Sequence, residues 1–221
     1  MAVYDLEEQE QLDELKTWWK QYGNLVTAIL AAVAVVAVAW QGWHWYQRNQ
    51  AAQASMIYAG IEQAAGKRDV KQLRQLAGEL IDKFPGTTYA AMGALLSGKV
   101  QVESNDAKNA QAHLQWAADN AKDDALRDLA KLRLAAVLLD DKAYDAALKA
   151  LQGNASTAFA ARFAELKGDV LASQDKKAEA RTAYEAALTA LEKQEKEGAP
   201  GQHRAYHDLL QTKLDSLGSA K

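Results

Sequence analysis

The sequence predicts an all-α protein, a single N-terminal transmembrane helix followed by an α-solenoid of helical hairpins. Three observations predict it. Residues 24–46 form an uncharged apolar stretch bordered on both sides by tryptophans. Behind it, amphipathic segments of similar length alternate with short turn signals. No valine-rich alternating run follows residue 46, and the chain of 221 residues has two prolines and no cysteine.

The tail comes first. Over residues 6–22, Leu12, Leu15, Trp19 and Tyr22 share one helical face at three- and four-residue spacing, with acids on the other. Residues 1–23 are therefore expected to be an amphipathic cytoplasmic tail lying at the membrane surface, entering the span through Gly23-Asn24.

The span is expected at residues 24–46. No charged side chain lies between Lys20 and Arg48, and Thr27 is the only polar side chain from Leu25 to Trp40. About 20 apolar helical residues cross a hydrocarbon core about 30 Å thick, and a helix satisfies its own backbone hydrogen bonds there. Trp18 and Trp19 precede the stretch; Trp40, Trp43 and Trp45 follow it. At roughly 1.5 Å per residue, Trp19 and Trp40 stand about 32 Å apart, one in each headgroup zone. Ala37-Val38-Ala39 resembles a signal-peptidase site, but the preceding residues carry six acids against Lys16 and Lys20. A secretory leader begins positive, so an uncleaved anchor is expected. Lys16 and Lys20 before the span, against Arg48 close behind it, favour an inside N-terminus. The chain would then be a single-pass protein of a bacterial inner membrane, with residues 47–221 in the periplasm.

Residues 47–221 carry 24 basic and 23 acidic side chains, no electrostatic footprint for nucleic acid. Without cysteine there is neither disulfide nor thiol nucleophile. The helix after Arg48 is expected to run to Gly66. The next helices are expected at Val70–Phe84 (stopped by Pro85-Gly86), Thr87–Glu103 (Ser104-Asn105) and Ala107–Ala121. Asp124–Leu139 (Asp140-Asp141-Lys142), Tyr144–Leu151 (Gly153-Asn154), Thr157–Ser173 (Asp175) and Lys177–Lys196 follow, with a last helix near Arg204–Leu217. Short connections between helices of similar length read as antiparallel hairpins.

The hairpins repeat. Gly168, Leu171, Lys177, Ala180, Tyr184 and Ala187 match the tetratricopeptide spacing of small, large, turn, small, aromatic and small residues. Ala135, Leu138, Tyr144, Ala147 and Leu151 repeat it 33 residues earlier. Gly98, Gln101, Ala107, Ala110, Leu114 and Ala117 give a looser copy, and the hairpin ending at Phe84-Pro85 a degenerate one. Small residues at a crossing let helices approach while large ones fill the groove. The packing positions of this tetratricopeptide-like solenoid are thus Gly98, Ala110, Ala135, Ala147, Gly168, Ala180, Tyr184 and Ala187. A non-repetitive helical bundle is the alternative.

Signatures of chemistry are weak. Residues 93–100 (GALLSGKV) miss a phosphate-binding loop by Val100 and fall inside a predicted helix, where glycines serve close packing. His203 and His207 are one turn apart, but Arg204 replaces the expected glutamate and no third ligand is near. His44 and His113 have no partner in sequence. No enzyme, metal or cofactor is expected. In the span, Ala28, Ala32, Val35, Ala39 and Gly42 form a seam of mostly small side chains against which a second helix could pack, although an alanine-rich span produces such a seam by chance.

Residues 11–23 (QLDELKTWWKQYG), the alanine-valine span, residues 42–55 (GWHWYQRNQAAQAS) and residues 88–95 (TYAAMGAL) occur in that order. With the C-terminal repeats, they resemble the YfgM family, ancillary subunits of the SecYEG translocon. The resemblance implies a single-pass inner-membrane protein with a periplasmic tetratricopeptide-like domain. It implies association with the translocon, the lipid bilayer and PpiD, a membrane-anchored chaperone, and assistance to exported client proteins. It supplies no catalytic residues. An anchored adaptor of another envelope complex is the alternative.

Overall fold

The computed structural model describes residues 4–197 and 204–218, with side chains over 11–196 and 204–218. Every regular element among the described residues is an α-helix. They are α1 (Tyr4–Gly66), α2 (Val70–Lys83), α3 (Thr88–Glu103), α4 (Ala107–Asn120), α5 (Asp124–Asp140), α6 (Tyr144–Ala150), α7 (Thr157–Ser173), α8 (Lys177–Glu197) and α9 (Arg204–Ser216). The chain divides into two compact units, residues 1–49 and 50–221.

In the first unit the expected passage at Gly23-Asn24 is not a helix end, because α1 runs through it. Thr27 Oγ1 donates to the carbonyls of Gly23 (2.9 Å) and Asn24 (3.1 Å), and the Trp19 indole covers Gly23. One glycine costs a helix only about 1 kcal/mol relative to alanine, too little to stop one with good formers on both sides. The apolar residues from Leu25 to Trp45 are exposed except the half-buried Val26, and α1 is long and apolar enough to cross a membrane. On either side of the apolar stretch the rings associate, Trp18 with Tyr22 at 5.9 Å and Trp43 with Tyr46 at 6.3 Å between centroids.

The second unit is a stack of four hairpins, the end of α1 with α2, α3 with α4, α5 with α6, and α7 with α8. All four close through the same turn. Two positions before the next helix begins, each has a non-glycine residue in the left-handed region: Arg68 (φ 56°), Asn105 (59°), Lys142 (59°) and Asp175 (60°). The next amide reaches back five residues, from Asp69 to Ala64, Asp106 to Gln101, Ala143 to Leu138 and Lys176 to Leu171, at 2.8–3.0 Å. These bonds satisfy carbonyls that a helix C-terminus would leave open. Carboxylates of Asp69, Asp106 and Asp123 and the hydroxyl of Thr87 then cap α2, α4, α5 and α3 by accepting an amide of the first turn.

Stacking buries what single hairpins cannot. Ile61, Leu73 and Leu80 pack with Phe84 and Val100; Leu114 packs with Leu134 and Val137; Ala135 with Leu151 and Phe163. Leu171, Ala180 and Tyr184 form the next cluster, and α9 closes the stack by inserting Leu210 among Ala161, Ala187 and Leu191. A leucine buried so completely contributes roughly 1.5–3 kcal/mol.

Candidate interaction surfaces

The small residues of the repeat lie where helices cross. Gly98, Ala110, Ala135, Ala147, Gly168, Ala180, Tyr184 and Ala187 are all buried. A Cβ on Gly98 would stand 2.6 Å from Leu114 Cγ, and one on Gly168 2.4 Å from Tyr184 Cε1. Ala135 and Leu151 share a cluster at the same sixteen-residue separation. Gly60 and Leu76 repeat it again, with 3.1 Å from a Cβ at Gly60 to Leu76 Cδ1. The hairpin that looks degenerate in sequence therefore keeps the register of the others.

The five seam residues of the apolar stretch, Ala28, Ala32, Val35, Ala39 and Gly42, are exposed, and a Cβ on Gly42 would meet nothing within 4 Å. A groove of about 670 Å³ opens in the second unit, lined by α4, α5 and α6, with Leu134 and Leu138 among its residues.

A tetratricopeptide repeat-like domain family matches residues 16–219. The chain is 35% identical, over 98% of its length, to the ancillary SecYEG translocon subunit of Neisseria gonorrhoeae, which it covers completely. Proteins of the same description from Haemophilus influenzae and Escherichia coli K12 are each 30% identical, over 84% and 85% of this chain and 90% of theirs. The chain belongs to the family of ancillary SecYEG translocon subunits, the YfgM family.

The family's repeat-like domain takes in α9 as well as the four hairpins, and polar contacts tie that helix down. Lys213 Nζ donates to Glu165 Oε1 at 2.8 Å and to Asp169 Oδ2 at 2.7 Å. The Tyr206 hydroxyl donates to Glu165 Oε2 and that of Tyr184 to Asp169 Oδ1, both at 2.8 Å, while the Arg162 guanidinium lies 3.9 Å from the Tyr206 ring centre. Burial would raise the Glu165 carboxyl, but Lys213, Tyr206 and Arg162 together hold it below its ordinary value. Burial would lower the Lys213 ammonium, but the two carboxylates raise it. Burial and the neighbouring carboxylates both push the Tyr184 and Tyr206 phenols up, keeping them neutral donors.

A second polar cluster lies between α3 and α4. Gln101 Nε2 donates to Ser97 Oγ at 2.6 Å, leaving that hydroxyl to donate to His113 Nδ1 at 2.7 Å. Burial, then the Arg74 guanidinium, lowers the His113 pKa, against the opposing pull of Asp106. The neutral imidazole with its proton on Nε2 fits this network. Ser97 is fully buried and His113 half-buried, and the pair joins α3 to α4.

The other sequence candidates have structural settings of their own. Residues 93–100 lie within α3, and a Cβ on Gly93 would stand 2.8 Å from Leu80 Cδ2. His44 packs edge-on to Trp40 at 4.4 Å. His203 is outside the described residues, and His207 Nδ1 stands 3.8 Å from Asp208. Among the described residues no cluster of three could hold a metal. Sequence reading missed the Lys213 network and the groove.

Proposed function

We propose that this protein is a non-enzymatic adaptor anchored at the Sec translocon. Residues 1–23 are cytoplasmic, residues 24–46 span the inner membrane, and residues 47–221 stand in the periplasm. There the hairpins hold a PpiD-type chaperone and exported polypeptides leaving the channel. The observation that carries this reading is the 35% identity, from end to end, with an ancillary SecYEG translocon subunit. The exposed apolar stretch supports the anchor, since so much apolar surface is costly in water and stable in lipid.

Capture of the full chain through a tag after Lys221, from mildly solubilised membranes, tests the reading. It should recover translocon subunits and the chaperone; recovery of a different envelope complex without them overturns it. A reporter active only in the periplasm, fused after Lys221, should be active, and a silent one overturns the orientation.

A further inference from the structure

We propose that the groove lined by α4, α5 and α6 binds an extended polypeptide segment in which acidic side chains alternate with apolar ones. The groove exists because the third hairpin is incomplete. Its second helix, α6, has 7 residues, where α4 has 14 and α8 has 21. Gly153, at φ +95°, lies in the turn that follows it. The missing turns leave an open cavity of about 670 Å³ with the half-buried Leu138 of α5 at its floor and the buried Leu134 beneath, within the usual range of about 300–1,000 Å³ for ligand sites.

Charge selects the occupant. Lys108 of α4, Lys131 of α5 and Lys149 of α6 line the cavity; among the described residues Asp119 lines it too, and Asp141 is held at its edge by the side chain of Gln111. None of these lysines forms an ion pair among the described residues, whereas Lys16, Lys83, Lys99, Lys177 and Lys213 do. Three ammoniums against these two carboxylates leave the cavity an excess of positive charge, where the surrounding sequence is balanced. Its wall along α4 runs from Lys108 to Asp119, about 16 Å at 1.5 Å per residue, or about five residues of extended chain. Lysines around an apolar floor match a strand with carboxylates on one face and apolar side chains on the other. The inference rests on the hairpins being protein-binding, but not on the translocon being the partner.

The test uses the full chain in detergent micelles and a fluorescent peptide of alternating glutamate and leucine, about eight residues long to overhang the groove. Anisotropy should report binding that weakens with salt. Lys108→Glu combined with Lys149→Gln, both exposed positions, should lower affinity at least about tenfold. Lys131→Met, which keeps the aliphatic stem on the floor, should lower it about threefold. Lys193→Glu on α8 should leave it unchanged. Equal binding of a lysine-leucine peptide overturns the proposal, as does parental affinity in the two groove variants with unchanged melting temperatures. Translocon capture by the parent chain separates the two readings: peptide binding without capture counts against the adaptor function and not against the groove, and capture without peptide binding counts against the groove alone.

Discussion

Gly168 on α7 lies under the ring of Tyr184 on α8, so close that a Cβ there would stand 2.4 Å from Cε1. The ring cannot swing aside freely, because its hydroxyl is bonded to Asp169 at 2.8 Å. Gly168→Ala gains about 1 kcal/mol of helix propensity but meets an overpacking cost of about 1–3 kcal/mol. The expected net loss is about 1 kcal/mol, a fall of roughly 2–4 °C in melting temperature for a domain of this size. At Gly78 of α2 a Cβ would meet nothing within 4 Å, so Gly78→Ala should stabilise by about 0.5–1 kcal/mol. Opposite signs for the two alanines are the expected outcome of thermal melts.

Removing the ammonium at Lys213 leaves Glu165 and Asp169 facing each other without a cation. Lys213→Met should cost about 2 kcal/mol at neutral pH, less than for a fully buried pair because the lysine side chain is 26% exposed. Glu165 titrates below its ordinary 4.5 in the folded protein. Its contribution is therefore present above that value and is lost as pH falls through the lower folded one. The parent should lose stability on acidification below 4.5, and Lys213→Met should show a shallower loss over the same window in pH-resolved melts.

His113 should impose a second slope at milder pH. Its folded pKa is lower than 6.5, so below that value the unfolded chain binds the proton more readily. Stability should fall as pH drops from 6.5 through the folded value, by no more than about 1.4 kcal/mol per pH unit. His113→Gln cannot titrate. Its denaturant midpoint should change less than the parent's between about pH 7 and 5.

The exposed seam of α1 offers a test of what the span recognises. Ala32→Leu with Ala39→Leu removes the close approach that helix pairing in lipid depends on. That pair should keep the protein in the membrane while reducing recovery of its partners. Val33→Leu with Val36→Leu should leave recovery unchanged. Equal recovery of both double variants would assign recognition to the hairpins alone.

Much of the architecture was legible because helices end locally. Pro85-Gly86, Ser104-Asn105, Asp140-Asp141-Lys142 and Asp175 mark real boundaries, since a turn needs only its own residues. The alternation of small and large residues at Gly168 and Tyr184 was legible for the same reason. The first hairpin was not, because the repeat is longer there. Gly60, Gly98, Ala135 and Gly168 fall at unequal intervals, and a fixed period misses the earliest. Nor could the sequence pair Lys213 with Glu165 and Asp169, which lie 48 and 44 positions earlier. Charged residues at such separations follow no periodicity. The groove escaped detection because it is made by missing helix, and a short helix followed by glycine reads as an ordinary turn.

The four identical hairpin turns have a consequence for how the domain is made. Each joins helices that are neighbours in sequence, so every hairpin can close from about 35 contiguous residues without waiting for distant chain. A growing polypeptide can therefore assemble the stack progressively, adding one pair at a time against the preceding one. The last step differs in kind. Lys213 belongs to the final helix and its carboxylates to α7, so α8 must already be laid down before the lysine can reach them. Loss of the last twenty residues would thus leave a stack that builds in the usual order and stops one helix short, with the apolar floor of Ala161, Ala187 and Leu191 uncovered.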